Sequence, residues 1–343
     1  MRRYKRALLA VALATTAVTG TVGWASGSTQ QAMAGPPPGY SAWLADTSLG
    51  RPLPDPARAA PAEVASFFRS LDGRQRHRLV RRHPGVVGNL DGAPVSLRYE
   101  ANALSASRDT RYAHLANRQL LVFDPRGRGL VAEVFGELER SPHVAVVVPG
   151  SDVDAGSYDR PGDPYGTPAG MARQLRAATG GRTAVVAWAG YTTPVGVGLD
   201  AATGGLAEAG AKRLVRFAEG LVSTGSAVPS LFCHSYGSVV CGLAATEVKA
   251  KDLVVFGSPG MRAANVAELG TAARVWSAKD PTDWISKVPH VTFLGLGHGT
   301  DPASEAFGAR RVPAEDARGH SGYFAPGTTS LRVFAAIARG EAA

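Results

Sequence analysis

A short apolar run, Leu231-Phe232, passes directly into Cys233-His234-Ser235-Tyr236-Gly237 and then into a helix-like run, Ser238 to Ala245. Strand, sharp turn and helix in immediate succession is the context of a nucleophile elbow. Such a turn lifts one serine oxygen above the end of a strand. The N–H groups that open the following helix then face whatever the serine attacks. The pattern departs from G-x-S-x-G at its first position, where Cys233 stands for glycine. By itself x-H-S-x-G is also compatible with Ser235 as a plain helix N-cap. The elbow reading therefore requires an acid and a histidine further along, in that order.

Both are present. Ala273-Arg274-Val275-Trp276-Ser277 reads as a strand and is followed by Lys279-Asp280-Pro281-Thr282-Asp283-Trp284-Ile285. Asp283 is the preferred acid, because Trp284 and Ile285 can anchor its loop. Asp280 before Pro281 has the alternative reading of a turn residue. The histidine is expected at His320, in the loop Gly319-His320-Ser321-Gly322-Tyr323-Phe324, ahead of a terminal helix capped by Thr328-Thr329-Ser330. His298 in Gly297-His298-Gly299 is its rival. His77, His83, His114, His143 and His290 read as surface or packing residues. No histidine pair has zinc spacing, and two cysteines cannot build a structural zinc site, so neither metal nor cofactor is expected.

An oxyanion hole needs two N–H donors. The sequence offers Tyr236, after the nucleophile, and Ser151, where the β-branched run Val144 to Val148 ends in Pro149-Gly150-Ser151. Ser258, in Gly257-Ser258-Pro259-Gly260, is a weaker nucleophile, since Pro259 supplies no N–H. Trp188, Tyr191 and Tyr236 are expected to form an apolar acyl pocket. Cys233 and Cys241 flank the elbow, one ending the strand and one two turns into the helix. A disulfide between them suits an exported chain, and two buried thiols are the alternative.

At 343 residues the chain can hold one large α/β domain with an extension. Residues 1–34 read as a signal peptide: basic Met1 to Arg6, apolar Ala7 to Ala25, and Ala32-Met33-Ala34 as the cleavage signal. An uncleaved signal anchor is the alternative, and either places the protein outside the cytoplasm or at the cell envelope. The net charge of +9 falls to +5 without the four basic residues of the leader. The remaining arginines are dispersed, and nothing supports nucleic-acid binding. The densest run, Arg74 to Arg82, reads as a solvated helix face, with an anionic envelope polymer or headgroup as the alternative ligand. Residues 35–60, rich in Pro, Gly and Ala, read as a linker or irregular arm. Residues 61–117 read as a helical segment that either braces the sheet or overhangs the site.

From residue 118 to 343 strand and helix runs alternate, with a hairpin turn at Asp124 to Gly129. That order predicts a mainly parallel sheet covered by helices on both faces. Ser151, Tyr191, Ser235, Ser258, Asp283 and His320 all follow strand-like runs, where sites form in such sheets. Gly88-Asn89-Leu90-Asp91-Gly92-Ala93-Pro94, Ala187-Trp188-Ala189-Gly190-Tyr191, His234-Ser235-Tyr236-Gly237-Ser238, Phe256-Gly257-Ser258-Pro259-Gly260 and Gly319-His320-Ser321-Gly322-Tyr323 together resemble an actinobacterial α/β-hydrolase family of unknown function, over about residues 65–340. The elbow and the Gly-Ser-Pro-Gly turn are more distantly similar to lipase-type hydrolases. The resemblance implies the α/β-hydrolase fold and the roles of Ser235 and His320, and stops at the reaction class. The expectation is a serine hydrolase of carboxylic esters, acting on a small-molecule or lipid substrate. An acyltransferase or amidase with the same triad, or a silent envelope-binding scaffold, are the alternatives.

Overall fold

The computed structural model describes residues 30–292 and 295–342. The basic and apolar runs of the expected leader lie outside these residues. Eight strands make one sheet: β1 Leu120–Asp124, β2 Leu130–Phe135, β3 His143–Val148, β4 Thr183–Ala189, β5 Ser230–His234, β6 Asp252–Phe256, β7 Arg274–Ala278 and β8 Arg310–Val312. Their order is β1-β2-β4-β3-β5-β6-β7-β8. β2 runs antiparallel to β1 and β4, and every other pairing is parallel. The turn at Asp124 to Gly129 makes the expected hairpin, with Gly127 and Gly129 both at positive φ.

The helices are α1 Tyr40–Leu44, α2 Pro61–Arg69, α3 Gly73–Arg82, α4 Pro84–Val87, α5 Val95–Ser107, α6 Pro168–Ala178, α7 Leu199–Ala202, α8 Gly205–Ser223, α9 Gly237–Ala244 and α10 Thr329–Ala338. The central strands are apolar on both faces because helices cover both. On β3, Val144, Val146 and Val148 pack in one core with Leu214, Phe217 and Leu221 of α8 and Val240 of α9. Ala145 and Val147 pack in the other with Met171 and Leu175 of α6 and Phe334 and Ile337 of α10. The period-two alternation of a strand sorts these residues to opposite faces. Thr328 caps α10 as its sequence predicts, its side chain accepting from the Leu331 N–H.

Helices α1 to α5 enclose a smaller core of their own around Trp43, Val64, Phe68, Leu79, Val80 and Leu97. Trp43 is fully buried there, so the 35–60 stretch includes a packed helix as well as irregular chain. Of the two roles considered for residues 61–117, these contacts fit bracing. Asn89 accepts from the Phe123 N–H at 3.0 Å and donates to the Phe123 carbonyl at 2.8 Å. Asn102 donates to the Leu120 carbonyl at 2.8 Å. These bonds occupy backbone groups of edge strand β1 that another chain could otherwise pair with. Gly88 cannot carry a side chain, since a Cβ there would lie 1.9 Å from Asn102 Oδ1.

Residues Gln30 to Met33, inside the expected leader, are bonded to the loop after β4. The Gln30 N–H donates to Asp200 Oδ2 at 2.9 Å, and the Met33 N–H donates to Thr192 Oγ1 at 2.8 Å. No helix among the described residues is long and apolar enough to cross a membrane.

Candidate active site

β5 ends at His234, and Ser235 turns the chain with φ 53°, one of three non-glycine residues at positive φ among the described residues. That left-handed conformation costs a non-glycine residue about 1–2 kcal/mol, so the surroundings must impose it. They do so by close packing. A Cβ on Gly237 would lie 2.5 Å from the Val148 carbonyl oxygen, so only glycine lets α9 sit against β3. At the first motif position, Cys233 is bridged to Cys241 with Cα atoms 6.5 Å apart. The expected disulfide therefore joins the elbow strand to the elbow helix, and both residues are fully buried.

A Cβ on Gly150 would lie 2.6 Å from Ser235 Cβ and 3.0 Å from its Oγ. The chain after β3 thus runs directly over the serine. Among the described residues, neither the Ser151 N–H nor the Tyr236 N–H donates to another group of the protein. Both are the donors that the sequence puts forward for an oxyanion.

Asp283 lies in the loop after β7, fully buried at its side chain. Three donors converge on its two oxygens. The Ile285 N–H reaches Oδ1 at 2.9 Å, and the Tyr323 hydroxyl reaches Oδ2 at 2.7 Å. His320 Nδ1 lies 2.9 and 3.0 Å from the two oxygens. Burial pushes this carboxyl up, but its bonds to His320, Ile285 and Tyr323 outweigh burial and hold it below the usual carboxylate range. Gly257, following β6 at φ 55°, makes room for the pair: a Cβ there would lie 3.0 Å from Asp283 Oδ2 and 3.1 Å from His320 Nδ1.

Asp280 makes no hydrogen bond to His320. Its carboxylate accepts from the Thr282 N–H, the Thr282 hydroxyl and the Gly319 N–H, which ties the acid loop to the histidine loop. The His234 ring lies 4.6 Å from that of His320, centroid to centroid, and its Nε2 donates to the His320 carbonyl at 2.8 Å. Burial depresses the His234 pKa to about 3, so its imidazole is neutral at pH 7. The structure therefore joins Asp283 and His320 directly and packs His320 against the elbow. It forms no hydrogen bond between His320 and Ser235 Oγ.

The rivals are placed elsewhere. His298 donates through Nε2 to the Ala201 carbonyl at 2.7 Å and packs edge-on against Tyr236. Ser258 is buried and bonded within its own turn to Gly260. The expected acyl pocket of Trp188, Tyr191 and Tyr236 is not formed. Trp188 and Tyr191 stack on each other in the core beneath α8, and the Tyr191 hydroxyl donates to the Pro149 carbonyl. The Tyr236 hydroxyl donates to the Thr203 carbonyl and accepts from the Ala207 N–H. Trp188 is part of β4 itself, and Tyr191 and Tyr236 follow their strands, but all three rings turn into the helix layer, where the two tyrosine hydroxyls find buried partners.

A profile for an alpha/beta hydrolase family matches residues 124–293, from the β1–β2 turn past Asp283. The chain has the α/β-hydrolase fold. Two uncharacterized proteins of Mycobacterium tuberculosis strain H37Rv are similar to this hydrolase. One, Rv2079, is 30% identical over 376 aligned residues, which cover 84% of this chain and 57% of the relative. The other, Rv0963c, is 32% identical over 181 residues, covering 49% of this chain and 66% of the relative. The hydrolase thus spans a little over half the length of the first of these relatives. Among solved structures, a lidless α/β serine hydrolase from Xanthomonas campestris aligns at TM-score 0.38 and 16% identity, over 62% of this chain and 88% of its own.

The sequence did not mark His234, Tyr323 or Gly257 as parts of the site. Tyr323 follows His320 by three residues in the same loop, and His234 sits inside the elbow. Adjacency to a named residue was the one signal available for either.

Proposed function

We propose that this hydrolase is an exported serine esterase in which Ser235 is the nucleophile, His320 the general base and Asp283 the orienting acid. The observation that carries the reading is the Asp283–His320 pair, with His320 Nδ1 within 3.0 Å of both carboxylate oxygens, beside a serine held at φ 53°. An acid bonded at Nδ1 leaves Nε2 as the lone-pair nitrogen, the tautomer that a base requires. The hydrogen bond between base and nucleophile is often long before substrate binds. His320 takes the Ser235 proton as Oγ attacks the acyl carbonyl. The Ser151 and Tyr236 N–H groups stabilise the tetrahedral oxyanion. The alcohol departs with the proton from His320, and water, activated by the same histidine, releases the acid.

Carboxylic esters are the proposed substrates, and export accords with the leader-like N-terminus and the Cys233–Cys241 disulfide. Labelling by a fluorophosphonate probe, alongside turnover of p-nitrophenyl esters of graded chain length, tests the assignment. The expected result is labelling and turnover that both vanish in Ser235→Ala. Folded protein that labels no better than this variant would reject the enzyme reading in favour of a silent binding scaffold. Secretion of the processed chain by its native host tests the export arm.

A further inference from the structure

Seven large apolar side chains among the described residues are strongly exposed, and six of them lie on two loops: Val195, Val197 and, where the loop enters α7, Leu199 on one, and Trp284, Val291 and Leu296 on the other, each 42–67% exposed. Exposed apolar residues scattered singly need no explanation, but a concentration does. The first loop follows β4 and is bonded to the chain over Ser235. The Asp152 N–H donates to the Pro194 carbonyl at 2.8 Å, and the Gly196 N–H donates to Asp152 Oδ1 at 2.8 Å. The second loop follows β7 and carries Trp284, whose ring centroid lies 4.8 Å from that of His320. The two loops are also bonded to each other, the Gly297 N–H donating to the Ala202 carbonyl at 2.9 Å. Six apolar tips therefore border the catalytic end of the sheet.

These tips are held outward. The Val153 N–H donates to Thr193 Oγ1 at 3.1 Å, and the Thr193 hydroxyl donates to the Val153 carbonyl at 2.7 Å. Backbone and side-chain bonds that do not involve the leader fix the first loop while its apolar side chains face water. That arrangement costs solvation unless something apolar covers the rim. Exposed Lys287 lies on the second loop, four residues after Asp283, and exposed Arg318 lies on the histidine loop, two residues before His320. Without the four basic residues of the leader the chain is still basic, its net charge falling only from +9 to +5. Apolar side chains bordered by cations suit a surface whose acyl layer lies under anionic headgroups.

We propose that this apolar rim docks the hydrolase on an anionic lipid surface, from which amphiphilic acyl esters enter the site. The substrate class rests on the esterase reading; the docking does not. Flotation of the full chain with mixed phosphatidylglycerol/phosphatidylcholine vesicles, and with phosphatidylcholine alone, separates the two. Wild type and Ser235→Ala should float equally, and better with the anionic vesicles. The triple variant Val195→Ser/Val197→Ser/Leu199→Ser should bind about tenfold more weakly or worse, while its kcat/KM on a soluble short-chain ester stays within about twofold of wild type. Wild type that floats with neither vesicle at low salt, or a triple variant that floats unchanged, overturns the docking. Rim-dependent capture of a protein without vesicle binding overturns it as well. Loss of Ser235-dependent turnover with flotation intact would instead strike the esterase reading alone.

Discussion

Replacing Asp283 by asparagine should abolish turnover while leaving the protein folded, and Asp280→Asn should not. The reason is a count of donors. Asp283 receives the Ile285 N–H, the Tyr323 O–H and His320 Nδ1 on two oxygens, all within 3.0 Å. An asparagine keeps one acceptor oxygen and places an NH2 where the other stood. If the oxygen stays with Ile285, the NH2 meets either the Tyr323 hydroxyl or His320. Tyr323 can rotate its proton away, but it then loses a buried acceptor. His320 can accommodate the NH2 only by presenting a lone pair at Nδ1, which moves its proton to Nε2. That tautomer cannot take the Ser235 proton, and loss of about 10⁴ in kcat follows for a triad acid so replaced. One buried donor left unsatisfied costs a further 1–3 kcal/mol or so of stability. Asp280→Asn instead weakens the bonds to Thr282 and Gly319. It loosens the loop bearing His320, and about a tenfold loss of kcat is expected. Turnover of p-nitrophenyl butyrate by both variants, with urea unfolding to report stability, gives the comparison. Asp283→Asn retaining more than about a tenth of wild-type kcat, with Asp280→Asn falling by 10³ or so, would refute the assignment of the acid.

Gly150→Ala should lower kcat by about a hundredfold with the circular-dichroism spectrum unchanged, because its Cβ would lie 2.6 Å from Ser235 Cβ and displace the loop carrying the Ser151 N–H; unchanged kcat would remove that loop from the site. His234 is held neutral by burial, with a folded pKa of about 3 against about 6.5 in an unfolded chain. The unfolded chain therefore binds more protons between pH 6.5 and 3, and stability falls as pH drops through that window, by about 2 kcal/mol from this group on reaching pH 5. In His234→Gln the stability difference between pH 7 and pH 5 should shrink by that amount in urea unfolding, and an unaltered difference would show that His234 ionises normally. Closing the short Cys233–Cys241 loop, with a sequence separation of 8, stabilises by about 2.5 kcal/mol through the unfolded state. Reduced protein should unfold at correspondingly lower urea, and two reactive thiols in unfolded, unreduced protein would disprove the bridge.

Much of this hydrolase is legible in one dimension. The β-branched run ending in Pro149-Gly150, the elbow at Ser235, and an acid and a histidine after later strands each announce themselves locally, through period-two apolar runs and the glycines of tight turns. β8 does not: Arg310–Val312 is only three residues long, with two exposed arginines, and carries no apolar alternation. The choice between Asp283 and Asp280 is likewise closed to the sequence. Both follow the same strand within five residues, and a three-residue difference in a loop decides which carboxylate meets His320 and which clamps the Gly319 N–H.

What the sequence by itself determined is the succession of strands and helices other than β8, the elbow at Ser235, and the later loops in which a histidine and an acid can follow. Those depend on short-range chemistry: hydrophobic period, turn residues and spacing. Tertiary structure alone decided that Tyr323 shares the carboxylate of Asp283, that His234 supports the backbone of His320, and that Trp188, Tyr191 and Tyr236 serve the core rather than a substrate. Side-chain direction at the end of a strand is set by which helix covers it and by where a buried hydroxyl finds its acceptor. Those partners lie tens of residues away along the chain, and only packing brings them together.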